Sequence, residues 1–168
     1  NSSGVIAADV TGVGTARAEM GAATYAKDKG IFAYGSTGSN VSLKNLVNNV
    51  GTVASDVTGV GTARRNLAAA SYGGDKVIFG YGYVSAVSSL KNLVSNLGVV
   101  AADVTGVGTA RQTLGATNYG GDKAIFAYGA DTLSMSNLVN SSGVIAADVT
   151  GVGTGRRGLG AAGYSLSA

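Results

Sequence analysis

Two sets of aspartates recur along this chain, and paired carboxylates are the residues here best suited to chemistry. Asp9, Asp56, Asp103 and Asp148 each open the phrase Asp-Val-Thr-Gly-Val-Gly-Thr, and Asp28, Asp75 and Asp122 each precede a lysine. Two carboxylates flanking a glycosidic bond can act as general acid and base, so a glycan-acting enzyme is one reading. Both sets recur once per repeat, however, whereas an active site is normally singular. An aspartate in a glycine-rich turn commonly bonds its own backbone. The chain has no His and no Cys, which removes Ser-His-Asp triads, Cys-His pairs and His or thiolate metal sites. Gly12-Val-Gly14 and its copies resemble a phosphate-cradling loop, but none runs on into Gly-Lys-Ser/Thr. Asp, Thr and carbonyl oxygens suit calcium, yet no EF-hand spacing or calcium-turn repeat is present. The expectation is a non-enzymatic protein with no cofactor and no metal.

The elements that carry these residues repeat. The aspartate phrase returns at steps of 47, 47 and 45 residues. Between its copies lie Lys29-Gly-Ile-Phe-Ala-Tyr-Gly35, Lys76-Val-Ile-Phe-Gly-Tyr-Gly82 and Lys123-Ala-Ile-Phe-Ala-Tyr-Gly129. Each is followed by Ser42-Leu-Lys-Asn-Leu-Val47, Ser89-Leu-Lys-Asn-Leu-Val94 or Ser134-Met-Ser-Asn-Leu-Val139. A period of this size marks a repeat array. We read residues 1–168 as one repeat domain, with a partial repeat at 1–26 and repeats at about 27–73, 74–120 and 121–165.

Within one repeat, Leu67–Tyr72 reads as a small-residue strand, and Gly73–Lys76 as a turn with glycines available for positive φ. In Val77–Gly82, alternation puts Val77, Phe79 and Tyr81 on one face and Ile78, Gly80 and Gly82 on the other. The glycine face should admit a close neighbour. Leu90–Ser95 reads as a third strand, with a helical turn over Leu90–Leu97 as the alternative, and Val99–Val104 as a fourth. Four short strands per unit predict an all-β fold of tandem four-stranded repeats. A pseudo-threefold β fold or an intertwined β oligomer are the alternatives. Both ends carry the fourth and first strands, and Asn1–Thr15 recurs unchanged as Asn140–Thr154. That duplication is the pattern expected of a window on a longer array, and a first residue of Asn fits processing or such a segment.

Composition narrows the partners. The net charge is +3, from 12 Lys and Arg against 9 Asp and Glu, spread along the repeats. A nucleic-acid binder would cluster its basic residues, so none is expected. No apolar run approaches the roughly 18 residues that span a bilayer, and membrane insertion is not expected. Small residues dominate, with 28 Gly, no Pro and no Trp.

The stretch Arg64-Arg-Asn-Leu-Ala-Ala-Ala-Ser-Tyr-Gly-Gly-Asp-Lys-Val-Ile-Phe-Gly-Tyr-Gly82 resembles the first half of a kelch repeat, and Arg17–Gly35 and Arg111–Gly129 repeat the likeness. The resemblance implies four-stranded β-propeller blades. Here the glycine doublet is Tyr-Gly and the late Trp is missing. The whole phrase also resembles repeats of bacteriophage tail-fibre and virion-surface proteins, which implies a virion structural or receptor-binding setting.

Arg17, Arg64, Arg111 and Arg156 each follow the glycine loop, and an arginine repeated in register most simply ties units together. These four and Asp9, Asp56, Asp103 and Asp148 are therefore assigned as repeat-structural. Recognition should lie where copies differ: Ser36, Thr37, Ser39 and Asn40; Tyr83, Ser85 and Ser88; Asp131 and Thr132. Their Ser, Thr and Asn content with one aromatic suits a glycan. The expected function is a tail-fibre or surface-appendage segment of a virion, partnered by copies of itself, other virion proteins or host glycans. A kelch-like protein-binding propeller is the alternative.

Overall fold

The computed structural model describes residues 8–9 and 11–163. These form nine strands: β1 Gly21–Tyr25, β2 Lys29–Ala33, β3 Lys44–Val47, β4 Ala68–Tyr72, β5 Lys76–Gly80, β6 Lys91–Val94, β7 Gly115–Tyr119, β8 Lys123–Gly129 and β9 Leu133–Val139. They pair as three antiparallel three-stranded sheets in chain order, β1-β2-β3, β4-β5-β6 and β7-β8-β9. The fold is all-β, and no α-helix occurs among the described residues. The helical alternative over Leu90–Leu97 gives way to β6.

Each hairpin follows from its turn. Tyr72 pairs with Lys76 across Gly73–Asp75, where Gly73 and Gly74 take φ of 60° and 79°. The first copy has Ala26 and Lys27 at the matching places, with φ of 50° and 72°. Left-handed φ costs a side chain about 1–2 kcal/mol. Converting both to glycine is therefore expected to raise the melting temperature by a few degrees, read by thermal unfolding. The 45-residue step also has a local cause. Between β8 and β9 the longer loop of the other copies shrinks to a single 3-10 turn, Ala130–Thr132, with a register shift between Ala127 and Gly129.

The expected fourth strand does not form. Val99–Val104 touches β6 only through isolated bridges, Val94 to Val100 and Lys91 to Val104. Between those bridges the outer segment holds one residue more than β6, so the ladder cannot stay in register. The Asn92 side chain fills the gap, donating to the Ala101 carbonyl at 3.0 Å and to Asp103 Oδ1 at 2.8 Å. Asn45 and Asn137 do the same in the other sheets.

The sheets stack in sequence and touch chiefly along their first strands. Those strands are the small-residue ones, so backbones come within hydrogen-bonding distance. Asn66 N–H donates to the Glu19 carbonyl, Thr113 to Asn66 and Gly158 to Thr113, at 2.9–3.0 Å, one column along the stack. The third strands stand further apart and are bridged by long side chains: Lys44 Nζ reaches the Gly98 carbonyl and Lys91 Nζ the Gly143 carbonyl, each at 3.0 Å. The sheets thus diverge from first strand to third.

Two apolar cores fill the spaces. Ile31, Ala33 and Tyr34 of the first unit meet Leu67, Val77, Phe79 and Val94. Ala70, Ile78 and Tyr81 of the second meet Leu114, Ala124, Phe126 and Val139. Strand β5 is consequently buried on both faces, and each of its large side chains contributes about 1.5–3 kcal/mol. The close approach foreseen for its glycine face is present: a Cβ at Gly80 would stand 2.8 Å from the Phe126 ring. One face assignment is corrected. Tyr81 does not share a face with Val77 and Phe79, because its φ of 64° ends the strand at Gly80 and turns the ring toward the third sheet.

Candidate functional site: repeat joints and the variable-loop edge

The recurrent polar residues converge at the joints between sheets. Arg64, fully buried, donates from Nε to the Tyr81 carbonyl at 3.0 Å and from Nη1 to the Thr62 carbonyl at 3.4 Å. Its guanidinium lies 4.3 Å over the Tyr34 ring of the preceding sheet. Tyr34 in turn receives Phe79 edge-on, with centroids 5.4 Å apart at 70°. The next joint repeats this: Arg111 lies 4.2 Å over Tyr81, and Tyr81 meets Phe126 at 5.2 Å and 68°. Backbone bonds from Gly35 to Arg64 and Gly82 to Arg111 hold each stack in place. Cation–π contacts gain strength when desolvated, to about 2 kcal/mol or more.

The same arginines clasp their own sheet. Arg17 Nη2 donates to Asn45 Oδ1 at 2.6 Å and Arg111 Nη2 to Asn137 Oδ1 at 2.7 Å. In the middle copy the matching atoms, Arg64 Nη2 and Asn92 Oδ1, are both buried without a partner. Each asparagine also donates to the aspartate: Asn45 to Asp56, Asn92 to Asp103, Asn137 to Asp148. The other carboxylate oxygen accepts the backbone N–H and hydroxyl of a threonine in the preceding glycine phrase: Thr15 for Asp56 at 2.8 and 2.7 Å, Thr62 for Asp103 at 2.8 and 2.6 Å, and Thr109 for Asp148 at 3.0 and 2.7 Å. Direct Arg–Asp contacts are looser, at 3.5, 3.8 and 4.0 Å. Asp9 is exposed and makes no such contact among the described residues. Arg156 is exposed too, but lies 4.3 Å over Tyr128 and donates to its hydroxyl at 2.7 Å.

Electrostatics follow from these bonds. The Thr15 hydroxyl, then Asn45, holds Asp56 below the usual carboxylate range. For Asp103 and Asp148 burial pushes upward, but the Thr and Asn bonds and the neighbouring arginine outweigh it. Asp75 is lowered by its bond to Lys76, against partial burial. Burial raises the Tyr34 and Tyr81 phenols despite the arginines beside them. A glycosidase acid needs a carboxyl raised toward neutrality, and these four are held down instead. The depressed carboxylates contribute stability above their unfolded value of about 3.9, lost as pH falls through the lower folded values. The raised phenols contribute below about pH 10, lost as pH rises through their folded values. With no histidine, the urea midpoint is expected to stay level from about pH 5 to 9 and to fall on either side.

Two of the three variable loops lie side by side. Asn40 Nδ2 donates to the carbonyls of Tyr83 at 3.2 Å and Val84 at 2.7 Å, joining the first loop to the second. Thr37, Ser39 and Ser85 are exposed, while Ser36 and Ser88 are half-buried and accept backbone N–H groups of Gly38 and Leu90. Tyr83 is half-buried, with Arg65 5.2 Å from its ring centre and Arg65 paired to Glu19 at 3.4 Å. Thr132 is exposed in the 3-10 turn with φ 55°. Asp131 lies in the same turn, and its side chain is outside the described residues.

Sequence reasoning missed Asn45, Asn92 and Asn137, although a polar residue repeated in register inside an apolar strand was the signal. Among the described residues no cluster of three or more His, Cys, Asp or Glu could hold a metal, and no helix is long and apolar enough to cross a membrane. The chain matches no model of a known protein family, and no curated protein matches its sequence.

Proposed function

We propose that this chain is a non-enzymatic structural repeat protein, a segment of a bacteriophage tail fibre or virion-surface appendage that carries its variable loops toward host glycans. The observation that supports the reading most is that Asp56, Asp103 and Asp148 each bond an asparagine and a threonine in the same way, with Arg17, Arg64 and Arg111 at equivalent places beside them, the Arg64–Asn92 bond alone being absent. Carboxylates fully occupied in holding repeats together are poor acids and bases but good fasteners. The linked loops 36–40 and 83–88 make a continuous edge, and a rigid scaffold with a variable edge is how recognition surfaces are commonly built. Electron microscopy of the native source material tests the setting: copies arrayed on a particle or fibre are expected, and free discrete rings would overturn it.

A second reading, a kelch-like propeller serving as a protein-binding module, is favoured by the divergence of the sheets from first strand to third, as blades around an axis diverge. Free rings would support it. For the first reading Tyr83→Ala is expected to weaken glycan binding at least tenfold while costing under about 1 kcal/mol of stability, since its arginine contact is half-exposed. Glycan-array binding and urea unfolding of the same variant check both halves.

A further inference from the structure

The irregular fourth segment leaves an opening in the middle sheet. Beside the Val94–Val100 bridge, where that segment runs along β6, lies a cleft of about 350 Å³. Its apolar wall is Leu93, Val94, Val99 and Ala101, and its polar groups are Tyr72, Lys76 and Ser95. The β4–β5 hairpin supplies the tyrosine and the lysine, and the residue after β6 supplies the serine. The third sheet repeats much of this lining with Tyr119, Lys123, Leu138 and Val144. The middle copy is the informative one, because it has a sheet on either side.

Tyr72 is the unusual member. It is 4% exposed, yet its hydroxyl makes no hydrogen bond among the described residues. A buried tyrosine ordinarily finds a partner for that group. Tyr34 and Tyr81 do so, donating to the carbonyls of Val60 and Val107 at 3.1 and 3.2 Å. Burial, then the charge of Asp75, raises the Tyr72 phenol, so the group stays an O–H donor at neutral pH.

The other polar groups of the cleft are donors as well. Lys76 Nζ gives one N–H to Asp75 Oδ1 at 3.0 Å and keeps the others free among the described residues. The acceptors nearby are occupied. Asn96 Nδ2 donates to Asp75 Oδ2 at 3.0 Å, and Ser95 Oγ accepts the N–H groups of Leu97 and Val99 at 3.2 and 3.3 Å. Lys27 adds a second positive charge near Asp75. A hydroxyl-rich sugar would bring donors to a cleft whose acceptors are taken. A carboxylate brings acceptors and a negative charge, which matches what is free. The apolar wall suits a hydrocarbon body, as most of a small-molecule site is apolar with a few placed polar groups.

We propose that this cleft binds a free apolar carboxylate of the medium-chain fatty-acid class. The carboxylate takes the Tyr72 hydroxyl and the Lys76 ammonium, and the hydrocarbon body lies on Leu93, Val99 and Ala101. The cleft is built from other residues than the variable loops, so the inference goes beyond the role proposed above and stands or falls independently of it.

NMR of the folded chain with labelled Leu and Val methyl groups tests the site, with octanoate as the probe. Saturable shifts at the Leu93 and Val99 methyls are expected as octanoate is added. Octan-1-ol keeps the body and lacks the charge, and it is expected to bind about tenfold more weakly, the usual effect of losing one charge-assisted hydrogen bond. Octanoate is expected to bind Tyr72→Phe about tenfold more weakly for the same reason. Lys76→Gln is expected to lose at least as much, since it also leaves the Asp75 charge facing the ligand. Tyr72→Phe keeps the ring, and an unchanged melting temperature in that variant shows that only the hydroxyl was lost. No saturable shift at these methyls, equal binding of octan-1-ol, or unchanged affinity in both variants would overturn the proposal. A short peptide ending in leucine that binds more tightly than octanoate would overturn the assignment to a free acid.

Discussion

Arg64→Ala is expected to lower the unfolding free energy by about 3–5 kcal/mol, the range for removing one partner from a buried charge network. Arg64 is 0% exposed and belongs to both neighbouring sheets. Its loss would leave the Tyr81 carbonyl without its donor, the Tyr34 ring without its cation and Asp103 without its nearest positive charge. It would also leave a cavity the size of a guanidinium between closely packed rings. Arg64→Lys is expected to recover less than half, because an ammonium cannot stack flat on Tyr34 while donating sideways. Arg156→Ala removes the same residue type from the same repeat position, but at an exposed end, and should cost under about 1 kcal/mol. Urea unfolding followed by circular dichroism measures all three. Equal losses for Arg64→Ala and Arg156→Ala would show that the joint carries no special share of stability.

Gly106→Ala is the second large effect, at about 3 kcal/mol or more, above the usual cost of overpacking. A Cβ at Gly106 would fall on the carbonyl of Ser89, a backbone group that cannot turn aside. Gly59 and Gly151 stand in the same relation to Ser42 and Ser134. Gly12 belongs to the same phrase, Asp-Val-Thr-Gly-Val-Gly-Thr, yet nothing lies within 4 Å of a Cβ placed there. Gly12→Ala is therefore expected to change stability by no more than about 0.5 kcal/mol. The pair separates two reasons for the recurring glycine. If the turn itself demanded it, both substitutions would cost alike; if packing demands it, only Gly106→Ala is costly. Thermal unfolding of the two variants decides.

Much of this architecture was legible in the sequence because its signals are local. The hairpin β4–β5 announces itself through glycines at the turn and alternating residues in Val77–Gly80, and β6 through Leu93 and Val94 beside polar neighbours. The fourth segment was not legible, because its fate depends on a side chain elsewhere: Asn92 reaches across and bonds Ala101 and Asp103 in place of a regular ladder. Alternation also failed at Tyr81, where a single left-handed residue turns the ring to the opposite face. Nothing in a pattern of period two signals that reversal, although Gly82 directly after an aromatic hints at an abrupt end to the strand. Recurrence alone marked the arginines and aspartates as candidates for a structural role, and Arg17, Arg64, Arg111, Asp56, Asp103 and Asp148 lie at the joints between sheets, whereas Asp9 is exposed. Their partners were not legible, since Thr15 and Asp56 lie 41 residues apart in sequence. The proposal that the variable loops recognise a ligand rests on their divergence between copies and on Asn40 joining two of them, and binding measurements on Tyr83 and its neighbours test it.

The measurement that tests the joint most directly is a double-mutant cycle on Arg64 and Tyr34, with Arg64→Ala, Tyr34→Ala and the double variant unfolded in urea under one set of conditions. If the recurrent arginines fasten each sheet to the one before it, the two substitutions will be coupled by at least about 1 kcal/mol, as expected for a desolvated cation–π contact. If the losses simply add, Arg64 serves its own sheet alone, and the account of these repeats as units riveted by arginine and tyrosine is wrong.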